Sequence, residues 1–388
     1  MNRRSFLTNS AMAAAAVGLK LSSGSVLAAS TNAAMISREQ YNKWFVFDGL
    51  GVLYDINDPA GSIQDDWRMS DRLRSDLLKS GLDCYRQTTG APFPAYPGDD
   101  IFESSVSMLS QHQKLIDANS DVLMLVRTFN DIEQAKKDNK IAVTLGFQNS
   151  HVLGDNLDNV DTFKNLGVLT MQLTYNGQNQ IGGGANVSQR LPLTEFGHKV
   201  VEKMNETNVL IDLSHSGERT CLEAIAASKT PLTISHSGCR ALVDLPRNKT
   251  DKEMRLLADK GGLFGLYFMP FLASDSKANS DHLVAHIEHA INVCGEDHVS
   301  IGTDGGYTGI DDMEKVRKDT DKMTQHRIDN GAAAAGEKLG NLNFMPDIVG
   351  PDQFYLLANK LAERRHSSTR IEKVLGLNAY NLMKDVWK

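Results

Sequence analysis

Residues 208–238 read NVLIDLSHSGERTCLEAIAASKTPLTISHSG. A β-branched, apolar run ends in Ser214-His215-Ser216, a stretch of helical composition follows, and a second such run ends in Ser235-His236-Ser237. A strand followed by a helix and a second strand is the unit of a parallel sheet, because the crossover between parallel strands needs about a dozen residues. The two histidines lie one such unit apart. Each therefore closes the carboxyl end of its own strand.

The theme repeats outward in both directions. Upstream are 45–53 (FVFDGLGVL), 81–88 (GLDCYRQT), 141–149 (IAVTLGFQN) and 168–176 (VLTMQLTYN); downstream are 262–270 (GLFGLYFMP) and 298–307 (HVSIGTDGGY). Between the later runs, helices are predicted over 218–228, over 250–260 with Thr250 as cap and Glu253 three residues on, and over 281–294 with Leu283, Ile287, Ala290 and Cys294 on one stripe. Eight strand–helix units with right-handed crossovers predict an α/β fold of the (β/α)8 TIM-barrel type. It would form one domain over residues 41–388, with a C-terminal helical extension after about residue 310 covering the barrel. An open doubly wound sheet is the alternative, but Gly49-Leu50-Gly51 lacks the third glycine of a dinucleotide turn.

In such a barrel the catalytic groups sit at the carboxyl ends of strands. Those ends hold Gln148, His151, Tyr175, His215, His236 and Asp304. A single histidine is more often structural, but two in matched strand-end triplets read as neutral imidazole donors to a metal such as zinc. Asp304, in SIGTDGG, reads either as an Asx-turn residue or as a carboxylate facing the same metal and taking a proton from its water. By contrast, His282, His286 and His289 share a helix beside its apolar stripe and are expected on a solvated face. Gly182-Gly183-Gly184 has no following Lys-Ser/Thr and reads as a flexible loop rather than a phosphate cradle. No G-x-S-x-G nucleophile motif is present.

Composition narrows the function classes. With 41 Lys+Arg against 48 Asp+Glu the net charge is −7, which argues against nucleic acid as a partner. Residues 1–28 have a basic start carrying Arg3-Arg4, an Ala-rich run and small residues ending at Ala28, and read as a twin-arginine-type signal peptide. Its removal would take Arg3, Arg4 and Lys20 and leave a charge of −10. Its apolar run is too short for a transmembrane anchor. The expected location is the periplasm, reached through the twin-arginine export machinery. Cys84, Cys221, Cys239 and Cys294 form no C-x-x-C pair and are expected as buried free thiols.

The segments Ile211-Asp212-Leu213-Ser214-His215, Ser235-His236-Ser237 with Arg240-Ala241-Leu242, Pro246-Arg247-Asn248 and Ile301-Gly302-Thr303-Asp304 resemble those of the membrane (renal-type) dipeptidases, peptidase family M19. The resemblance runs from about residue 45 to the C-terminus. It implies a metallo-dependent hydrolase-like barrel in which two zinc ions are held by a first-strand His-x-Asp, a bridging glutamate, two histidines and an aspartate. By position His215, His236 and Asp304 are retained, and Arg247 matches the arginine that holds the substrate carboxylate. The first-strand motif instead reads Asp48-Gly49-Leu50-Gly51-Val52, the bridging glutamate is Gln148, and Tyr175 stands for the histidine that polarises the scissile carbonyl. Leu50 and Val52 offer no lone pair, and neutral Gln148 is at best a weak ligand, with His151 as a further outer candidate. Two zincs would be poorly neutralised, so one ion is expected. The reading is an exported zinc hydrolase cleaving a dipeptide or small amide, with Asp304 as base, Tyr175 as oxyanion donor and Arg247 as carboxylate anchor. The alternatives are an inactive or repurposed homologue that binds or matures small peptides, and a different single-metal reaction such as isomerisation or lyase chemistry. The resemblance also implies a homodimer.

Overall fold

A computed structural model describes residues 35–90 and 100–387; the leader 1–28 lies outside the described residues. The strands are β1 (Phe47–Gly51), β2 (Cys84–Thr88), β3 (Leu123–Leu125), β4 (Ile141–Phe147), β5 (Val168–Gln172), β6 (Leu210–Asp212), β7 (Thr233–Ser237), β8 (Leu263–Leu266) and β9 (Val299–Ile301). Eight of them run in parallel in the order β1-β2-β4-β5-β6-β7-β8-β9. The ring closes just beyond β9, where Asp304 N–H donates to Leu50 O at 2.8 Å and Val52 N–H to Gly305 O at 2.9 Å. The eight expected runs supply the eight barrel strands. Strand β3 is additional and pairs only with the first half of β4, whose second half pairs with β5. Its three residues leave no period to read in the sequence.

Each strand ends where its apolar run ends, which puts the polar residues on one rim. The helices follow the same local logic. The Thr250 and Glu253 capping box opens Asp251–Asp259, and helix Ser280–Cys294 buries Leu283, Ile287, Ala290 and Cys294. On that helix the expectation of a solvated face fails at His286, which is buried and accepts from Cys239 N–H at 2.9 Å; His282 is exposed and His289 half-buried. The four cysteines are buried and free.

The barrel interior contains a layer of polar side chains. Arg86, Thr144, Thr170, Thr233, Ser235 and Ser300 line a void of about 20 Å³, room for roughly one water. From below, helix Asn378–Val386 closes the barrel with Leu382, Met383 and Trp387. Directly under the rim the barrel is narrow. A Cβ on Gly265 or Gly302 would come within 2.0 or 2.3 Å of the Ser235 carbonyl oxygen, so only glycine lets β8 and β9 approach β7 there. Among the described residues no helix is long and apolar enough to cross a membrane.

Candidate active site

Asp212, at the end of β6, organises the site from below. Fully buried, it accepts from Ser214 N–H (3.0 Å) and Oγ (2.5 Å), from Ser235 N–H (3.1 Å) and Oγ (2.6 Å), and from Arg86 Nη1 (2.6 Å). Burial alone would push its carboxyl up, but the Arg86 charge, His236 and the serine donors hold it well below the ordinary carboxylate range. A single ionised side chain thus ties together both Ser-His-Ser turns.

On this base His215 Nε2 and His236 Nε2 meet at 3.1 Å. Their far sides decide their protonation. His215 Nδ1 lies 2.7 Å from Asn176 Oδ1, and Asn176 is oriented by its own amide, which donates to the Ala332 carbonyl at 3.1 Å. His236 Nδ1 lies 2.8 Å from Ser235 Oγ, whose hydrogen is directed to Asp212. In both cases the partner oxygen accepts, so Nδ1 carries the proton and Nε2 the lone pair. Burial, then Arg247 and the other nearby cations, keep both rings far below the usual histidine pKa and therefore neutral. Two imidazole lone pairs consequently point at each other at the floor of the cavity, an arrangement that calls for a cation between them.

Three more cations brace the pair. Arg247 donates Nη1 to Ser214 O and Nη2 to His236 O at 2.9 Å, with its guanidinium over the Tyr267 ring at 5.4 Å. Lys249 reaches Ser216 O at 2.5 Å and faces Glu253 at 3.7 Å. The carbonyls on both sides of His215 are therefore held by buried cations. Tyr175 stacks on His215 with ring centres 4.2 Å apart and accepts from Arg327 Nη1 at 3.3 Å; Arg327 is itself held by Glu337 at 2.6 Å. Burial raises the Tyr175 phenol against the pull of Arg327.

Asp304 lies on the same cavity in a left-handed conformation (φ 56°), ahead of Gly305-Gly306. Burial pushes its carboxyl up to about 6 against the pull of Arg247, Arg327 and Arg86. The preceding Thr303 is stapled to Asp48 of β1 through its N–H (2.7 Å) and Oγ1 (2.6 Å), which fixes where Asp304 starts. Gln148 lines the cavity and donates to Thr88 Oγ1 at 3.1 Å. His151, by contrast, is exposed on the short helix Ser150–Leu153, faces Gln180, and stands off the cavity wall. Of the altered first-strand residues, Leu50 is fully buried and Val52 lines the cavity.

The structure thus brings His215, His236, Tyr175, Arg247, Gln148 and Asp304 to one rim, but among the described residues no three His, Cys, Asp or Glu side chains gather as one metal-ligating group. Sequence reasoning missed Asn176, Asp212 and Lys249, although each stands within three residues of a chosen one. It also missed Arg327 and Glu337, in a segment where no motif points to them. The Gly182–Gly184 run, expected to be flexible, is buried. Gly183 O accepts from Gly217 N–H at 2.8 Å, which seats the run against the turn after His215.

The model of the membrane dipeptidase family (peptidase family M19) matches residues 83–335. An uncharacterised protein of the pqqA 5′ region of Klebsiella pneumoniae is 27% identical over 307 residues, 75% of this chain and 99% of that one. The dipeptidase verJ of Clonostachys rogersoniana is 28% identical over 208 residues, and the match spans about half of each, 52% and 54%. Among solved structures, an amidohydrolase from Pseudomonas aeruginosa is 31% identical, with a TM-score of 0.75 over 90% of this chain and 98% of that one.

Proposed function

The chain belongs to the membrane dipeptidase family, M19, and from that premise we propose that it is an exported zinc hydrolase cleaving a dipeptide or small amide. The observation that carries the proposal is the pair of Nε2 lone pairs converging from His215 and His236, each ring fixed on its far side by a hydrogen-bonded acceptor. That far-side bonding is the usual support of a metal-bound imidazole. The donor set therefore fits one ion at this pair. Gln148, on the same cavity, would be at best a weak further ligand, and Leu50 and Val52 provide nothing for a second ion. When bound, zinc supplies Lewis acidity and makes a water easier to deprotonate.

The residues of the chain would then divide the remaining work. Asp304, with a carboxyl near 6, is matched to accept a proton close to neutrality. Tyr175 donates its hydroxyl hydrogen to the developing oxyanion, with Arg327 bonded to the phenol oxygen. Arg247 has five N–H donors, of which two hold the carbonyls of Ser214 and His236; the others remain for a substrate carboxylate. A periplasmic location reached by the twin-arginine route, and a homodimer, belong to the same proposal.

The second reading, a homologue that binds or matures small peptides without cleaving them, is favoured by the absence of a three-ligand group among the described residues. Metal analysis of the purified mature protein, with dipeptide hydrolysis assayed in parallel, tests both. About one zinc per chain with turnover is the expected result. One zinc without turnover supports the second reading, and no metal after zinc reconstitution overturns the proposed hydrolase.

A further inference from the structure

The cavity above the histidine pair has a volume of about 660 Å³, in the middle of the range for sites that enclose drug-sized ligands and far more than a small dipeptide fills. Its lining is divided by barrel sector. The ends of β4 to β7 contribute Gln148, Tyr175, His215 and Arg247, all polar. Val52, Tyr54 and Ile56 after β1, Phe268 and Phe271 after β8, and Phe344 after β9 give the rest of the lining a mainly apolar character, to which the segment after β9 also adds the charged Asp319, Arg327 and Glu337. The altered first-strand motif is part of that lining. A Cβ on Gly51 would collide with the Tyr307 hydroxyl at 1.8 Å, and Leu50 is buried away from the cavity, so Val52 alone of the three faces it. The sector where the family resemblance implies metal ligands is here a branched and aromatic surface, unsuited to an ion and suited to hydrocarbon.

We infer that the substrate carries a bulky apolar group, the size of a long acyl chain or a large aromatic side chain, seated in the β8–β9–β1 sector while its amide carbonyl lies at the histidine pair. This rests on the hydrolase reading for the position of the carbonyl. It goes beyond that reading in naming an N-acyl amino acid, or a dipeptide with one large apolar residue, as the substrate class. A group buried there leaves water, and affinity should rise about fourfold for each methylene until the wall is covered.

The test is calorimetric titration of the zinc-loaded mature protein with glycine N-acylated by chains of two to twelve carbons, with amide hydrolysis followed separately. Decanoylglycine should bind roughly a hundredfold or more tighter than acetylglycine. Phe344→Ala and Val52→Asn should each remove about tenfold of that gain without changing acetylglycine binding. An affinity series flat within about threefold, or a gain that survives both substitutions, overturns the inference. If affinity is graded but no amide is cleaved, the apolar site stands and the hydrolase reading fails. If small dipeptides are cleaved while affinity is flat, the hydrolase reading stands and the apolar site fails.

Discussion

His236 and His286 are both fully buried and both held neutral by burial; the first lies in β7 and the second is bonded to the turn that follows it. Their hydrogen bonds separate them. His286 accepts the Cys239 N–H at Nδ1, and its Nε2–H reaches the Leu272 carbonyl at 3.2 Å, so both ring nitrogens are satisfied by backbone. His236 gives its Nδ1–H to the Ser235 hydroxyl oxygen, whose own hydrogen goes to Asp212, and its remaining lone pair has no donor opposite it, only the other histidine. Burial and a depressed pKa therefore do not distinguish a ligand from a core residue. Complete accounting of donors and acceptors does.

The largest expected effect breaks the comparison outright. His215→Ala or His236→Ala should lower zinc affinity by at least about a hundredfold, whereas His286→Gln should leave zinc content unchanged. Equilibrium dialysis against a zinc indicator reads both; zinc lost equally in all three variants would erase the distinction.

Next in size is the acid limb of stability. Burial pushes His286 down to about 4, so between pH 6.5 and 4 the unfolded chain binds a proton that the folded chain excludes. Stability from this group is present above pH 6.5 and is lost as pH falls through that window, up to about 3 kcal/mol by pH 4. Urea unfolding of the zinc-free protein from pH 7 to 4 should show this slope added to that of the likewise depressed His215 and His236, and His286→Gln should make it shallower by that share. An unchanged slope would mean that another group governs the acid limb.

A smaller effect tests the relay behind His215. Asn176→Ala removes the acceptor that sets the Nδ1–H tautomer and should weaken zinc binding tenfold to a hundredfold. Asn176→Asp keeps the acceptor and loses only the amide bond to Ala332, so it should recover most of that affinity. Nitrogen chemical shifts of the His215 ring report the tautomer directly; a population of the other tautomer in Asn176→Ala but not in Asn176→Asp is the expected signature.

These residues also mark what the sequence could reveal. The eight barrel strands were legible because each pairs a short β-branched run with a polar end, a signal contained within nine or ten residues. The capping box at Thr250 and the stripe from Leu283 to Cys294 were legible for the same reason. Asn176 was inside the run that drew attention to Tyr175, yet its role depends on Ala332, 156 residues on. Arg327 meets Tyr175 across 152 residues, and His286 meets Cys239 across 47. Partners set by chain return rather than by local period leave no pattern to count, which is why strand ends were readable and the hydrogen bonds that give them meaning were not.

The smallest effect lies on the same helix as His286 and completes the contrast. His282 is exposed, and its ring turns back on Asn279 at 2.6 Å in the first turn of helix Ser280–Cys294. The side chain of Asn279 already accepts the His282 N–H at 3.2 Å, so the helix keeps its cap when the ring is removed. His282→Ala should therefore shift stability by no more than about 0.5 kcal/mol and leave zinc binding untouched. Three histidines at helical spacing would then give a solvated ring at His282, a buried backbone clamp at His286, and a half-buried partner of Asp251 at His289, 2.8 Å away. A loss of zinc in His282→Ala would instead show that spacing had carried the metal after all, and that the paired lone pairs of His215 and His236 had been given too much weight.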